Sequence, residues 1–149
     1  MPTIIARIAP LQNPEQYASI AGRLTRITAE ILHKDESVTA VLVEDLPAAR
    51  WSIGGQAVTQ PTALVEISIT QGTNTAAEKA RWIAAAFAEM QAVLGPLAKA
   101  SYCVVRELPA QDWGYSGLTQ SDRKMQKQLA SAGPWHPADA ALAGLAAVA

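Results

Sequence analysis

Val43-Glu44-Asp45-Leu46-Pro47-Ala48-Ala49-Arg50-Trp51-Ser52-Ile53-Gly54-Gly55 returns in kind as Val105-Arg106-Glu107-Leu108-Pro109-Ala110-Gln111-Asp112-Trp113-Gly114-Tyr115-Ser116-Gly117. Each stretch leaves an apolar, strand-like run, passes an acidic-Leu-Pro-Ala turn, and reaches tryptophan and then glycine. Trp51 and Trp113 are 62 positions apart. Two helix starts keep that spacing. Asn13-Pro14-Glu15-Gln16 offers an N-cap, a proline at the first helical position and a glutamine at the third. Thr75-Ala76-Ala77-Glu78 is a capping box of the same layout, again 62 positions on. One offset shared by caps and tryptophans reads as the duplication of a unit of about 60 residues.

Each unit reads as β-α-β plus a terminal hairpin. In the first, Ile4, Ala6 and Ile8 alternate as a strand should. Tyr17, Ile20, Leu24, Ile27 and Ile31 then recur at spacings of three and four, one face of an amphipathic helix. His33-Lys34 lies near its C-terminus, where positive charge suits the helix dipole. Val38 to Val43 is the second strand, and Asp45 to Gly55 the turn and short hairpin. Gln60-Pro61-Thr62 joins the units. In the second, Val65, Ile67 and Ile69 alternate with Glu66 and Ser68. A helix runs from Ala76 to Leu94, with Ile83, Phe87, Met90 and Leu94 as its apolar face and Gly95-Pro96 ending it. Ser101 to Glu107 is the last long strand.

Two β-α-β crossovers imply an α+β fold: a four-stranded mixed sheet with two helices on one face. The other face then needs a cover, and a subunit interface is the simple answer. The expected organisation is one domain over 1–120, made of units 1–61 and 62–120, with a C-terminal helical tail over 121–149. In that tail, Ser121 to Ala132 reads as a short surface helix and Gly133 to Pro137 as a rigid break with Trp135 as an anchor. Pro137 to Ala149 is alanine-rich and weakly helical.

Composition narrows the function classes. A net charge of −1 over 149 residues gives no basic surface for nucleic acid. The single cysteine, Cys103, excludes an intramolecular disulfide framework and any multi-cysteine metal site, and its apolar neighbours make it a buried structural thiol. His136 has no partner histidine or cysteine nearby, so no metal is expected. The N-terminus lacks a basic stretch followed by an apolar one, and the tail from Ala138 is shorter than the roughly 20 residues that span a bilayer. A cytoplasmic location, with no membrane partner, is the expectation.

Pro2 stands directly behind Met1 and opens the first strand. Removal of Met1 would leave a secondary amine at a strand head. The α-amine is the only main-chain group that acts as a base near neutrality, with a reference pKa of roughly 7.7–8.0, and burial lowers it. With the repeat and the Trp51-Ser52-Ile53-Gly54-Gly55 hairpin, this start resembles the tautomerase superfamily: 4-oxalocrotonate tautomerase and its relatives, MIF-like folds included. The Glu107-Leu108-Pro109-Ala110-Gln111 turn is similar to that of the cis-3-chloroacrylic acid dehalogenase branch, in which two units are fused in one chain. The resemblance covers residues 2 to about 118. It implies Pro2 as catalytic base, a small enol or unsaturated carbonyl compound as substrate, no cofactor, and a homotrimer with one active site per chain.

Several residues depart from the family pattern. Its two substrate-gripping arginines fall on Gln12 and Ala40. The arginine pair that dehalogenases and decarboxylases carry after the third strand falls in Thr70-Gln71-Gly72-Thr73-Asn74-Thr75, where Thr73 and its neighbours offer only neutral donors. The acidic, water-activating residue falls near Tyr115. Trp113 and Trp51 occupy the positions of the family's aromatic wall. In fused relatives the second unit covers the proline, which favours Trp113 and Tyr115 over Trp51. Arg50 and Arg106 are the candidate substitute cations. Two other readings stay open: a binding or interaction protein that keeps the fold without turnover, and a lyase or hydratase on an unsaturated acid. A dimeric ferredoxin-like barrel also has two β-α-β units, but leaves the terminal proline and the duplicated hairpins unexplained.

Overall fold

In the computed structural model, residues 1–133 are described; the expectations for Trp135 and for Pro137 to Ala149 lie outside them. The chain falls into two compact units, Met1–Pro109 and Ala110–Ala149. The first runs β1 (Thr3–Ala9), α1 (Pro14–Leu32), β2 (Ala40–Asp45), β3 (Ser52–Ile53), β4 (Gln56–Ala57), β5 (Thr62–Thr70), α2 (Ala76–Leu94) and β6 (Tyr102–Leu108). The second holds β7 (Gly114–Tyr115), β8 (Leu118–Thr119) and α3 (Gln120–Ser131).

The 62-residue offset survives in three dimensions. Helices α1 and α2 are both 19 residues long, start 62 positions apart, and carry capping boxes at Asn13 and Thr75. The hairpins β3–β4 and β7–β8 repeat at the same offset. In the first, Gly54 and Gly55 take φ of 59° and 78°, the left-handed pair that a tight two-residue hairpin turn needs. In the second, Ser116 and Gly117 take those places with φ of 50° and 78°. Gly114 is required for another reason: a Cβ there would run into the Leu118 carbonyl.

The main sheet has the order β2-β1-β5-β6. β1 pairs in parallel with β2 and antiparallel with β5, and β5 pairs in parallel with β6. This is the expected four-stranded mixed sheet, with α1 packed on β2, α2 on β6, and the helices on each other. Ile4, Ala6 and Ile8 of β1 and Ala63, Val65, Ile67 and Ile69 of β5 are buried together with Ile20, Leu24, Trp82 and Met90. Trp82 is wholly buried, and its Nε1 donates to Thr28 Oγ1 at 2.9 Å. The Thr28 hydroxyl in turn donates to Leu24 O at 2.7 Å. This chain of bonds satisfies the indole donor inside the apolar layer.

The residues between these face the other way. Arg7 reaches Glu44 at 3.2 Å and Glu66 at 3.5 Å, and Arg106 reaches Glu66 at 2.7 Å. The ion pairs thus run across all four strands, among Ile5, Leu42, Leu64, Tyr102 and Val104. Leu42 and Tyr102 are exposed there, at 47% and 63%. No helix among the described residues is long and apolar enough to cross a membrane.

Candidate active site

Pro2 is buried at the head of β1, and its carbonyl accepts from Ala40 N at 3.3 Å. Lying two residues before Ile4, it belongs to the helix-covered side of the sheet. In a β-α-β unit the two parallel strands begin at the same end of the sheet, so the chain leaving the crossover helix must return there. That return brings Lys34 and Asp35 to the head of β1. The Met1 amine is held below the usual range of an α-amine, first by burial and then by the charge of Lys34, with Asp35 opposing. Lys34 is itself pushed down by burial, with Glu78 opposing.

The second repeat delivers its share to the same end. Because β5 runs antiparallel to β1, the turn after Thr70 arrives where β1 starts. Lys34 Nζ donates to Thr73 Oγ1 at 2.9 Å, and the Thr73 hydroxyl donates to Thr70 O at 2.7 Å. Glu78 holds the start of α2, and its carboxyl is kept below the usual carboxylate range mainly by hydrogen bonds from Thr75 and Asn74. His33 Nε2 lies 3.6 Å from its Oε2. Lys79 Nζ meets Glu107 Oε1 at 3.0 Å where β6 ends.

Of the candidates read from sequence, Pro2 and Thr73 therefore share one end of the sheet. Arg106 lies near that end but on the open face, committed to Glu66. Arg50 closes a 3-10 turn, Ala48–Arg50, and Trp51 follows it, beyond the end of β2. Within the chain they stand a strand length from Pro2, roughly 20 Å for a seven-residue strand. Gln12, at the position of a family arginine, donates through Nε2 to Pro10 O at 2.6 Å. A cavity of about 670 Å³, lined among others by Ile53, Val58, Gln60, Lys99 and Tyr102, lies at that far end and not beside Pro2. Cys103 is half-buried on the helix side, and burial pushes its thiol up to about 11.

Trp113 and Tyr115 belong to the second unit. There the Arg123 guanidinium stacks 3.5 Å from the Tyr115 ring centre and donates to Tyr115 O at 2.8 Å. Trp113 lines a cavity of about 290 Å³ with Gly114, Gly117, Leu118 and Thr119. Its Nε1 is buried with no hydrogen-bond partner among the described residues.

Sequence reasoning missed Lys34. Its position after α1 reads as a complement to the helix dipole. The signal that finds it is topological: the residues directly after the first crossover helix return to the head of the first strand. His33, the C-cap residue with φ of 57°, makes that turn.

No family model and no curated protein matches the sequence. Solved structures do match. A wild-type fused 4-OT, solved as a symmetric trimer, superposes with a TM-score of 0.73 at 22% identity, over 80% of this chain and 96% of that one. Pt0534 inactivated by 2-oxo-3-pentynoate gives 0.71 at 17% identity, over 82% and 97%. A macrophage migration inhibitory factor-like protein from Entamoeba histolytica gives 0.68 at 19%, over 79% and 97%. At these identities the likeness is one of fold: the chain shares the fold of the fused 4-OT and of the macrophage migration inhibitory factor-like structure.

Proposed function

We propose that this chain is a tautomerase-type enzyme acting through Pro2 after removal of Met1. The observation that carries the reading is the buried place of Pro2 at a strand head, where burial and Lys34 hold an amine below its usual range. Pro2 would sit one residue deeper than the Met1 amine, in the same surroundings. A neutral secondary amine there takes a proton from an enol oxygen, or from a carbon α to a carbonyl, and returns it to another carbon of the same molecule. Lys34, held by the Thr73 hydroxyl that accepts from it, presents a charged donor to a substrate carboxylate or to the oxygen that gains charge. Lys34 thereby supplies the charge-assisted contact that Gln12, Ala40 and the Thr70–Thr75 turn lack.

The repeat supports reading 1–120 as one working domain, in which Trp113 and Tyr115 hold the hairpin positions of the family's aromatic wall. A homotrimer follows the fused 4-OT structures, which were solved as trimers. Arg50 and Trp51, far from Pro2 in their own chain, then take part only as gifts of a partner subunit.

The test is an assay for ketonisation of a simple enol acid such as phenylenolpyruvate, with intact-mass analysis of the N-terminus. Active protein should begin at Pro2, and Pro2→Ala should lower kcat/KM by at least a hundredfold. As a second readout, 2-oxo-3-pentynoate, which inactivated Pt0534, should add whole to the protein at Pro2. The amine nitrogen bonds to the alkyne carbon farther from the ketone, the one that bears the methyl group, and the amine proton passes to the carbon beside the ketone. Active protein that retains Met1 sinks the reading, as does Pro2→Ala at full rate.

A further inference from the structure

We propose that Asn74 is a positioning residue for the Lys34 ammonium, an inference that rests on the Pro2 reading for its functional meaning but not for its geometry. The last carbonyls of a helix have no partners within it. Here Leu32 O, at the end of α1, accepts from Asn74 Nδ2 at 3.1 Å. The same amide nitrogen stands 3.1 Å from Glu78 Oε2. Glu78 is itself fixed by the capping box of α2, with Oε1 accepting from Thr75 N at 3.0 Å. One side-chain amide thus ties the end of α1 to the start of α2, across 42 positions of sequence.

Its place in the chain gives that tie its consequence. Lys34 follows Leu32 by two residues, and Thr73 directly precedes Asn74. The 2.9 Å bond from Lys34 to Thr73 therefore spans the same gap that the amide closes. A lysine ammonium is a point charge on a flexible four-carbon stem with three donors. Thr73 takes one, and the direction of the others depends on how the two turns are held. Glu78 from α2 and the chain-terminal amine from β1 interact with the ammonium, and His33 and Asp35 flank it in its own turn, His33 reaching Glu78 and Asp35 the amine. Without the Asn74 amide, the turn after α1 would still reach the turn before α2 through the Lys34–Thr73 bond, with the longer His33–Glu78 contact to the start of α2 beside it.

The test uses the full chain with Asn74→Leu, which keeps the shape and loses the amide, and Asn74→Ala, which loses both. In 13C-labelled protein, the Lys34 Cε signal should titrate below ordinary lysine in the wild type and move up toward the ordinary value in both variants. The KM for phenylenolpyruvate should rise about tenfold in both, with kcat changed less than threefold. If Lys34 titrates unchanged in folded Asn74→Leu, the inference is overturned. An effect in Asn74→Ala alone assigns the change to lost volume, and also overturns it. A wild type that turns over no enol, while Lys34 still moves in both variants, leaves Asn74 as positioning residue and removes the Pro2 reading instead.

Discussion

An amine is a base only in its uncharged fraction, so in the proposed reaction the groups around Pro2 would set the pH at which it works. Burial and Lys34 lower an amine here, and Asp35 raises it. Replacing Lys34 by methionine keeps the stem and removes the charge. The amine pKa then rises, its neutral fraction at a given pH falls, and the ascending limb of kcat/KM against pH moves toward alkaline values. Asp35→Asn moves it the other way. Lys34→Met also loses a charge-assisted contact of about 1.5–3 kcal/mol, so kcat/KM on the plateau should drop about tenfold or more. Steady-state rates from pH 5 to 9 check both, and an unmoved limb removes Lys34 from the site. The placement of Pro2 and Thr73 at one end of the sheet was legible in the sequence, because a proline at a strand head and a turn after a strand are local facts. Lys34 was not, since its meaning lies in the direction in which α1 returns. Arg106 looked available because a strand-end arginine advertises no partner. Its partner, Glu66, sits 40 positions away on the neighbouring strand.

At the scale of elements, capping chemistry proved more legible than packing. The α2 bounds, Ala76 and Leu94, follow from Thr75, Glu78 and Gly95, and the structure keeps them. Its buried face is the expected one turned slightly: Met90 is buried and Phe87 and Leu94 pack against the core, but Trp82 and Ala86 are buried while Ile83 is 39% exposed. Alanines make this helix apolar nearly all round, so two stripes compete. The one that seats the Trp82 indole on Thr28, with small Ala86 beside it, faces the core. β2 also begins later than Val38. Asp35 caps a short 3-10 turn, Glu36–Val38, by accepting from Ser37 N at 2.9 Å, and the strand starts only at Ala40. The Trp82–Thr28 contact yields a stability prediction. Thr28→Val keeps the volume but leaves the indole N–H buried without an acceptor, which costs about 1–3 kcal/mol. Urea unfolding should show that loss with an unchanged m-value, and a loss below about 0.5 kcal/mol would mean that the indole finds another acceptor.

For the molecule as a whole, the question is what covers the sheet face opposite α1 and α2. Its charges are already matched within the chain, as Glu44, Arg7, Glu66 and Arg106 form one row of ion pairs. An approaching subunit therefore meets no unpaired charge in that row, and the apolar residues beside it can be desolvated without stranding one. Leu42, on the β2 edge of this face, is the sharpest probe because it is 47% exposed in the single chain. In a monomer, Leu42→Asp changes a surface position and costs little. In the proposed homotrimer, each copy would lose up to about 1.5–3 kcal/mol of leucine burial and gain an unpaired carboxylate at the interface. Sedimentation equilibrium should thus return a trimer for the wild type and a mass shifted toward monomer for Leu42→Asp, with far-UV circular dichroism unchanged. A monomeric wild type removes the trimer. A variant that stays trimeric keeps the assembly and moves its interface off this edge, to the far-end groove by Tyr102 or to the second unit.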